Sequence, residues 1–224
     1  MTYTELVAAI QSYTQNYESD FVANIPLFIT QTETRVYNTV QIPALRKNVT
    51  GVTTNGNKYL SCPSDFLAVY SIAVIDGNGS YEYLLNKDVN FIRQAYPDPN
   101  DTGLPRYYAL FGPTVANGVV TDELSFILGP TPDLNYNVEL HYYYYPESIT
   151  VAADGRTWLG DNYDPVLLYG SLVEAYIFLK GEADMMGYYQ KKYDDALAQL
   201  NRLGTGLERG DAYRDGQAKI KVAQ

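Results

Sequence analysis

The sequence predicts an α+β protein in which terminal helices pack as an α-helical bundle and an antiparallel β-domain, meander or sandwich-like, is inserted between them. Three observations predict this. Apolar residues recur at helical spacing near both ends of the 224-residue chain. Between about Arg46 and Ile149 the period falls to two, and the turns become rich in Gly, Asn and Pro. No strand alternates with helix in the rhythm that a parallel sheet requires. The expected division is a helical domain over 1–45 and 155–204, a β-domain over 46–154, and an extended C-terminal tail over 205–224.

The first helix follows from Thr2 and Glu5, which fit a capping box, and from Leu6, Ala9, Ile10, Tyr13 and Tyr17 at helical spacing. A second helix is expected to start at Asn24 as cap with Pro26 in its first turn, where a missing N–H costs nothing. Ile25, Ile29, Val36 and Val40 make its stripe, and Pro43 ends it.

In the β-domain, Val49–Thr54 and Lys58–Leu60 flank Asn55-Gly56, which predicts a hairpin. A strand from Leu67 to Ile75 meets Ser80–Leu85 through Asp76-Gly77-Asn78-Gly79, a second hairpin. Lys87–Ala95 reads as a short helix, and 97–105 as a loop crowded with Asp, Asn and Pro. Strands at Arg106–Phe111, Glu123–Leu128 and Asn137–Tyr145 complete the set. Asp161 or Asn162 then caps a helix with Pro165 in its first turn, and a last helix runs from about Glu182 to Leu203 with Gly204 beyond its end.

Composition bounds the function. A single cysteine, Cys62, rules out a disulfide scaffold, and 46% hydrophobic content argues against disorder. The N-terminus lacks the basic and apolar regions of a secretory signal, and no apolar run is long enough to span a bilayer, so a soluble protein made in a cytosol is expected. Of the aromatic residues 23 are Tyr, which suits half-buried sheets and interfaces better than a dry core. Residues 201–224 carry five basic and three acidic groups, so the net −10 divides into −12 on residues 1–200 and +2 on the tail. Such asymmetry suggests docking.

Little catalytic equipment is present. His141 is the only histidine, so no multi-histidine metal site fits in one chain, and a packing or surface role is expected for it. Cys62 has no basic neighbour to activate it. Gly204-Thr205-Gly206 opens a run that imitates a dinucleotide fingerprint but follows a helix and has the wrong spacing. Asp98, Asn100 and Asp101 lack an EF-hand's Gly and terminal Glu and read as turn formers. Asp161 and Asp164 sit at a helix start, and Asp194 and Asp195 share a solvated face with Lys191 and Lys192. No catalytic, cofactor or metal residue is assigned, and an enzyme is not expected. Tyr142, Tyr143, Tyr144 and Tyr145 place two rings on each face of one strand. Both faces are then covered within the monomer, or one meets another subunit.

Three segments carry a resemblance: Ile25-Pro26-Leu27-Phe28-Ile29-Thr30-Gln31-Thr32-Glu33-Thr34-Arg35-Val36, Leu60-Ser61-Cys62-Pro63-Ser64-Asp65-Phe66, and the paired late helices. In the last, Leu172-Val173-Glu174-Ala175-Tyr176-Ile177-Phe178-Leu179 is followed by Tyr189, Tyr193 and Ala196-Leu197-Ala198-Gln199-Leu200. With this order of elements the chain resembles the head-to-tail adaptors of tailed bacteriophages, the connector, gatekeeper or tail tubular protein A-like family. The resemblance implies a structural virion protein at the head–tail junction that forms a ring, typically of about twelve copies, with closed rotational symmetry. It implies a portal protein on one side, a tail or nozzle protein on the other, a lumen for passage of double-stranded DNA, and no membrane partner. It also implies that the C-terminal segment reaches the portal; in this chain Arg209, Tyr213, Arg214, Lys219 and Ile220 are the expected contacts. A different reading is a carbohydrate- or receptor-binding β-module, motivated by the tyrosines and Trp158, although such modules seldom need flanking helices.

Overall fold

Some local signals hold, as at the Thr2–Glu5 box and the Asp76 turn, and others fail: the second helix is not capped by Asn24, and the helix with Pro165 starts after Tyr163 without a cap from Asp161 or Asn162. The computed structural model describes residues 1–40, 42–98, 100–116, 119–122 and 124–208. Two compact units are present, one of Met1–Ala44 with the chain from Pro146 onward, the other of Leu45–Tyr145.

In the helical unit, α1 (Tyr3–Thr14) starts at the expected capping box: Thr2 N–H donates to Glu5 Oε2 at 2.8 Å and Glu5 N–H to Thr2 Oγ1 at 3.3 Å. Helix α2 (Ser19–Thr39) begins earlier than Asn24, so Pro26 lies inside it. Its missing N–H leaves the Val22 carbonyl without a helical donor, a cost of ~3 kcal/mol in an interior position. Burial of Phe21 and Ile25 on the same stripe as Ile29 and Val36 offsets that cost. Thr157 caps the short α4 (Trp158–Asn162), and Pro165 opens α5 (Asp164–Phe178). Helix α6 (Ala183–Glu208) continues past Gly204. The expected start of the tail at residue 205 is therefore helical.

Helix α5 packs against α1, α2 and α6. Two close contacts in this unit depend on missing side chains: a Cβ on Gly170 of α5 would lie 2.2 Å from Thr32 Cγ2 of α2, and one on Gly204 of α6 2.2 Å from Ile42 Cγ2, just beyond α2. Gly204 is thus a packing glycine within the helix and not its terminator. The segment after Pro146 is tied to the same unit, because Ile149 N–H donates to Glu33 Oε1 at 3.0 Å and Tyr3 N–H to the Gly155 carbonyl at 2.8 Å.

The other unit contains β1 (Arg46–Val52), entered through a 3-10 turn at Pro43–Leu45, then β2 (Tyr59–Ser61), β3 (Phe66–Ile75), β4 (Tyr81–Tyr83), β5 (Leu85–Asn86) and α3 (Val89–Ala95). It continues with β6 (Tyr107–Phe111), β7 (Thr114–Ala116), β8 (Val119–Asp122), β9 (Ser125–Gly129) and β10 (Asn137–Tyr144). One sheet has the order β1-β10-β3-β4, a second the order β2-β9-β6-β5, and β7 pairs with β8. All pairs are antiparallel except β5 with β6. Ile72, Val74, Val138, Leu140 and Tyr142 from the first sheet share one core with Tyr108, Phe126 and Leu128 from the second, which makes a sandwich.

The Asn55-Gly56 turn is present, with Gly56 at φ 73°, but it makes no hairpin. Strand β1 pairs with β10 and β2 with β9, so the turn carries the chain from one sheet to the other. The order is accordingly not a meander. The second hairpin forms as expected: β3 pairs with β4, and Asp76 Oδ1 accepts from the N–H groups of Asn78 and Ser80, each at 2.8 Å. Asp88 caps α3 through Asn90 N–H at 2.8 Å, and Ile92 seats that helix on Ala109 and Ile127.

Candidate interaction surfaces

The four tyrosines that close β10 have different surroundings. Tyr142 enters the sandwich core at 3% exposure, stacks on Phe66 with centroids 5.8 Å apart, and donates its hydroxyl to Asp65 Oδ1 at 2.8 Å. Lys47 donates to the other Asp65 oxygen at 2.5 Å. Burial pushes the Asp65 carboxyl up, but these two hydrogen bonds outweigh it and hold the group below its usual range. Burial, and then donation to that carboxylate, push the Tyr142 hydroxyl up to about 12.

Tyr143 lies on the opposite face and is buried as well. Its ring meets Tyr70 edge-on at 6.3 Å, its hydroxyl accepts from Arg46 at 2.7 Å, and the Arg46 guanidinium sits 4.0 Å from the Tyr70 centroid. Tyr144 is half-buried, with the Lys47 ammonium 4.2 Å from its ring centroid, and Tyr145 alone of the four is exposed. Tyr142 and Tyr143 are therefore covered within their own unit. Of the four tyrosines, only Tyr145 and part of Tyr144 reach the surface of the unit.

His141 lies in an outward-facing polar group. Its Nδ1 is 3.1 Å from Ser71 Oγ and its Nε2 3.4 Å from Glu139, which also accepts from Asn48 at 2.8 Å. Cys62 packs against the sandwich core. Asp98 accepts from Asn100 N–H at 2.9 Å and shapes a turn, as its spacing predicts. Asp161 pairs with Arg156 at 3.0 Å, and Asp194 accepts from Gln190 at 2.8 Å. Among the described residues no group of three or more His, Cys, Asp or Glu is placed to hold a metal ion. Trp158 belongs to α4 in the helical unit, so the β-unit does not carry it as a ligand platform.

Among the described residues Glu33 is the carboxylate most removed from water. It is 2% exposed, and while one oxygen holds Ile149 N–H, the other is buried without a partner. Burial raises its proton affinity against the opposing hydrogen bonds of Ile149 and Ser148.

Among the described residues of the helical unit, several exposed apolar side chains gather where α1 and α5 end and α6 begins. The Tyr189 ring centroid lies 6.5 Å from Tyr13, 5.0 Å from Tyr176 and 5.6 Å from Tyr188. Tyr189 itself is buried, and burial, then the hydrogen bond with Tyr176, push its hydroxyl up to about 12. Tyr13, Tyr17, Ile177, Phe178, Met185 and Tyr188 are exposed. Phe178 also packs on Phe28 at 5.4 Å and on Phe21 at 6.3 Å. The residue types at Tyr188, Tyr189 and Tyr193 suggest core and helix packing rather than a ligand box; Tyr193 and Tyr189 do pack, but Tyr188 is turned outward. Its step of one residue from Tyr189, about 100° around a helix, is the signal that separates them. Glu18, Asp20, Glu182 and Asp184 lie in the same end segments, with Lys180. Exposed apolar surface with a polar rim is the composition of a protein contact.

Arg209, Tyr213, Arg214, Lys219 and Ile220 lie outside the described residues. They do fall in or next to the span of a family comparison, because a family model described as SU10 adaptor protein matches residues 1–218. The chain belongs to this phage adaptor protein family. The adaptor is accordingly a structural component of the virion. No curated protein matches it. No helix among the described residues is long and apolar enough to cross a membrane. For an adaptor, the surfaces described above carry more functional information than any single cleft, because joining other proteins is the task.

Proposed function

We propose that this adaptor assembles as a ring at the head–tail junction, joins the portal to a tail or nozzle protein, and lines the channel through which DNA passes. The observation that carries the reading is the exposed apolar end of the helical unit, with Tyr13, Tyr17, Ile177, Phe178, Met185 and Tyr188 at its surface. A subunit that stayed alone would leave those side chains in water, at ~25 cal/mol per Å². Head-to-tail contacts between identical copies close into a ring when the rotation per copy divides a full turn. The net charge of −10 suits a lumen that DNA must traverse without sticking, since phosphate binding scales with the Lys and Arg presented. Arg209, Tyr213, Arg214, Lys219 and Ile220 follow the end of α6 and are proposed to engage the portal.

Electron microscopy of the purified adaptor mixed with its portal tests this. A closed ring on the portal axis is expected from closed symmetry, and the resemblance to head-to-tail adaptors implies about twelve copies in it. A lone copy bound off-axis overturns it. Deleting residues 209–224 is expected to abolish portal attachment while the remaining chain keeps its melting temperature. Unchanged attachment overturns the assignment of the tail.

A further inference from the structure

Beside α3 the β-unit carries a groove that neither the family nor the proposed ring accounts for. It has a volume of about 210 Å³ and runs between α3 and the edge strand β2. Its floor is Ile127, with Ile92 behind it, both buried. Tyr59 and Tyr96 stand on opposite sides, and Lys58 and Arg93 occupy the rims. The geometry follows from the sheet. Strand β2 pairs with β9 so that Tyr59 lies opposite Ile127, and α3 covers Ala109 and Ile127 but stops short of β2. The uncovered strip becomes the groove.

Its charge is unusual for this molecule. Six Lys and Arg residues lie between Leu45 and Tyr145, in a chain whose net charge is −10. Arg46 and Lys47 are engaged with Tyr143 and Asp65. Lys58 and Arg93 instead rest against aromatic rings, at 5.5 Å from the Tyr59 centroid and 6.0 Å from the Phe111 centroid. Among the described residues neither has a carboxylate partner. Asp98, the one acid on the rim, is engaged by the N–H and side-chain amide of Asn100, each at 2.9 Å. Two cations over an apolar, tyrosine-walled floor have the composition of an interface anchor point.

We propose that this groove receives an acidic segment of a partner protein, inserting one aromatic or branched apolar side chain over Ile127 between Tyr59 and Tyr96 while its carboxylates meet Lys58 and Arg93. Charge complementarity selects this occupant. A basic or nucleic-acid partner would meet either the two cations or the acidic molecule around them unfavourably, and a neutral one would gain nothing from the rims.

The test uses the full-length chain labelled with nitrogen-15 and a panel of eight-residue peptides in which Glu or Asp alternate around a central Tyr, Phe, Trp or Leu. Isosteric panels with Gln and Asn in place of the acids serve as controls. Expected is binding by at least one acidic peptide, with amide shifts centred on Tyr59, Arg93 and Ile127. The affinity should weaken at least about tenfold in the Lys58→Glu, Arg93→Glu double variant and again when salt is raised into the screening range. Tyr59→Ala, which removes a wall and leaves the charges, should weaken it as well. All three substituted positions are exposed, and an unchanged melting temperature confirms the fold. Absence of binding by every acidic peptide, equal binding by the neutral panel, shifts centred elsewhere, or an affinity indifferent to the double variant overturns the proposal. So does preferential binding of an oligosaccharide from a glycan array, or concentration-dependent self-association that the double variant abolishes, since each assigns the groove to a different occupant.

Discussion

Replacing Gly170 by alanine tests the packing of the helical unit. A methyl group at that position of α5 lies 2.2 Å from Thr32 Cγ2 and 3.0 Å from Tyr193 Cε2. Neither neighbour yields easily. Thr32 is wholly buried and its hydroxyl donates to the Phe28 carbonyl at 2.9 Å, while Tyr193 is 2% exposed. Carbon atoms rest at ~3.5–4.0 Å, so α2 and α5 must part by more than 1 Å, or Thr32 must rotate and release its hydrogen bond. Overpacking of this sort costs ~1–3 kcal/mol, occasionally more, and alanine's better helix propensity returns up to ~1 kcal/mol.

With the clash this close, the upper part of that range applies, and Gly170→Ala is expected to lose ~2 kcal/mol net. Urea unfolding followed by the fluorescence of Trp158 measures it, because the sole tryptophan lies in the same unit. With a slope of ~2 kcal/mol per molar urea, the midpoint falls by ~1 M. Thr32→Ser deletes the clashing methyl and keeps the hydroxyl. In that background Gly170→Ala should cost at least ~1 kcal/mol less, the coupling expected of side chains in contact. A variant as stable as the parent, or a cost identical in both backgrounds, would refute the close approach of α2 and α5.

Gly204→Ala is expected to destabilise by ~1–3 kcal/mol through its contact with Ile42, and Ile42→Ala should relieve part of that cost; thermal unfolding of the single and double variants checks it, and a cost unchanged by Ile42→Ala would refute the contact. Glu33→Gln keeps an acceptor for Ile149 N–H and removes the charge. Because burial raises the Glu33 pKa above 4.5, its favourable contribution is present below the unfolded value and disappears as pH rises through the folded one. The stability difference between variant and parent should therefore grow in favour of glutamine from pH 4.5 towards neutrality, as read by denaturant midpoints across that range. Asp65→Asn has the opposite sign. The lowered carboxyl contributes above its unfolded value of 3.8 and loses that contribution as pH falls through the folded one, so a deficit of ~1 kcal/mol at neutral pH should close under acid.

Capping and turn chemistry could be read from short stretches. The Thr2–Glu5 box and the Asp76 turn each involve partners within four residues, so the sequence contains the whole interaction. The interaction surface could not be read that way. Tyr142 and Tyr145 are the same residue type three positions apart, yet one is buried against Phe66 and Asp65 and the other is exposed. The groove beside α3 depends on β2 joining β9 across more than sixty intervening residues, a pairing that the Asn55-Gly56 signal argues against.

From the amino-acid order alone follow the α+β class, the insertion of strands between helices, the scarcity of catalytic groups, and enough pattern to point to phage adaptors. These rest on periodicity, caps and composition, which act over a few residues or over the chain as a whole. Tertiary structure decided the rest: that β1 and β2 serve different sheets, that Pro26 lies inside a helix, that Gly204 is a contact and not a stop, and which tyrosines meet water. The physical reason is the same in each case. A local preference of ~1–3 kcal/mol is overridden when a side chain distant in sequence offers buried apolar area or denies space.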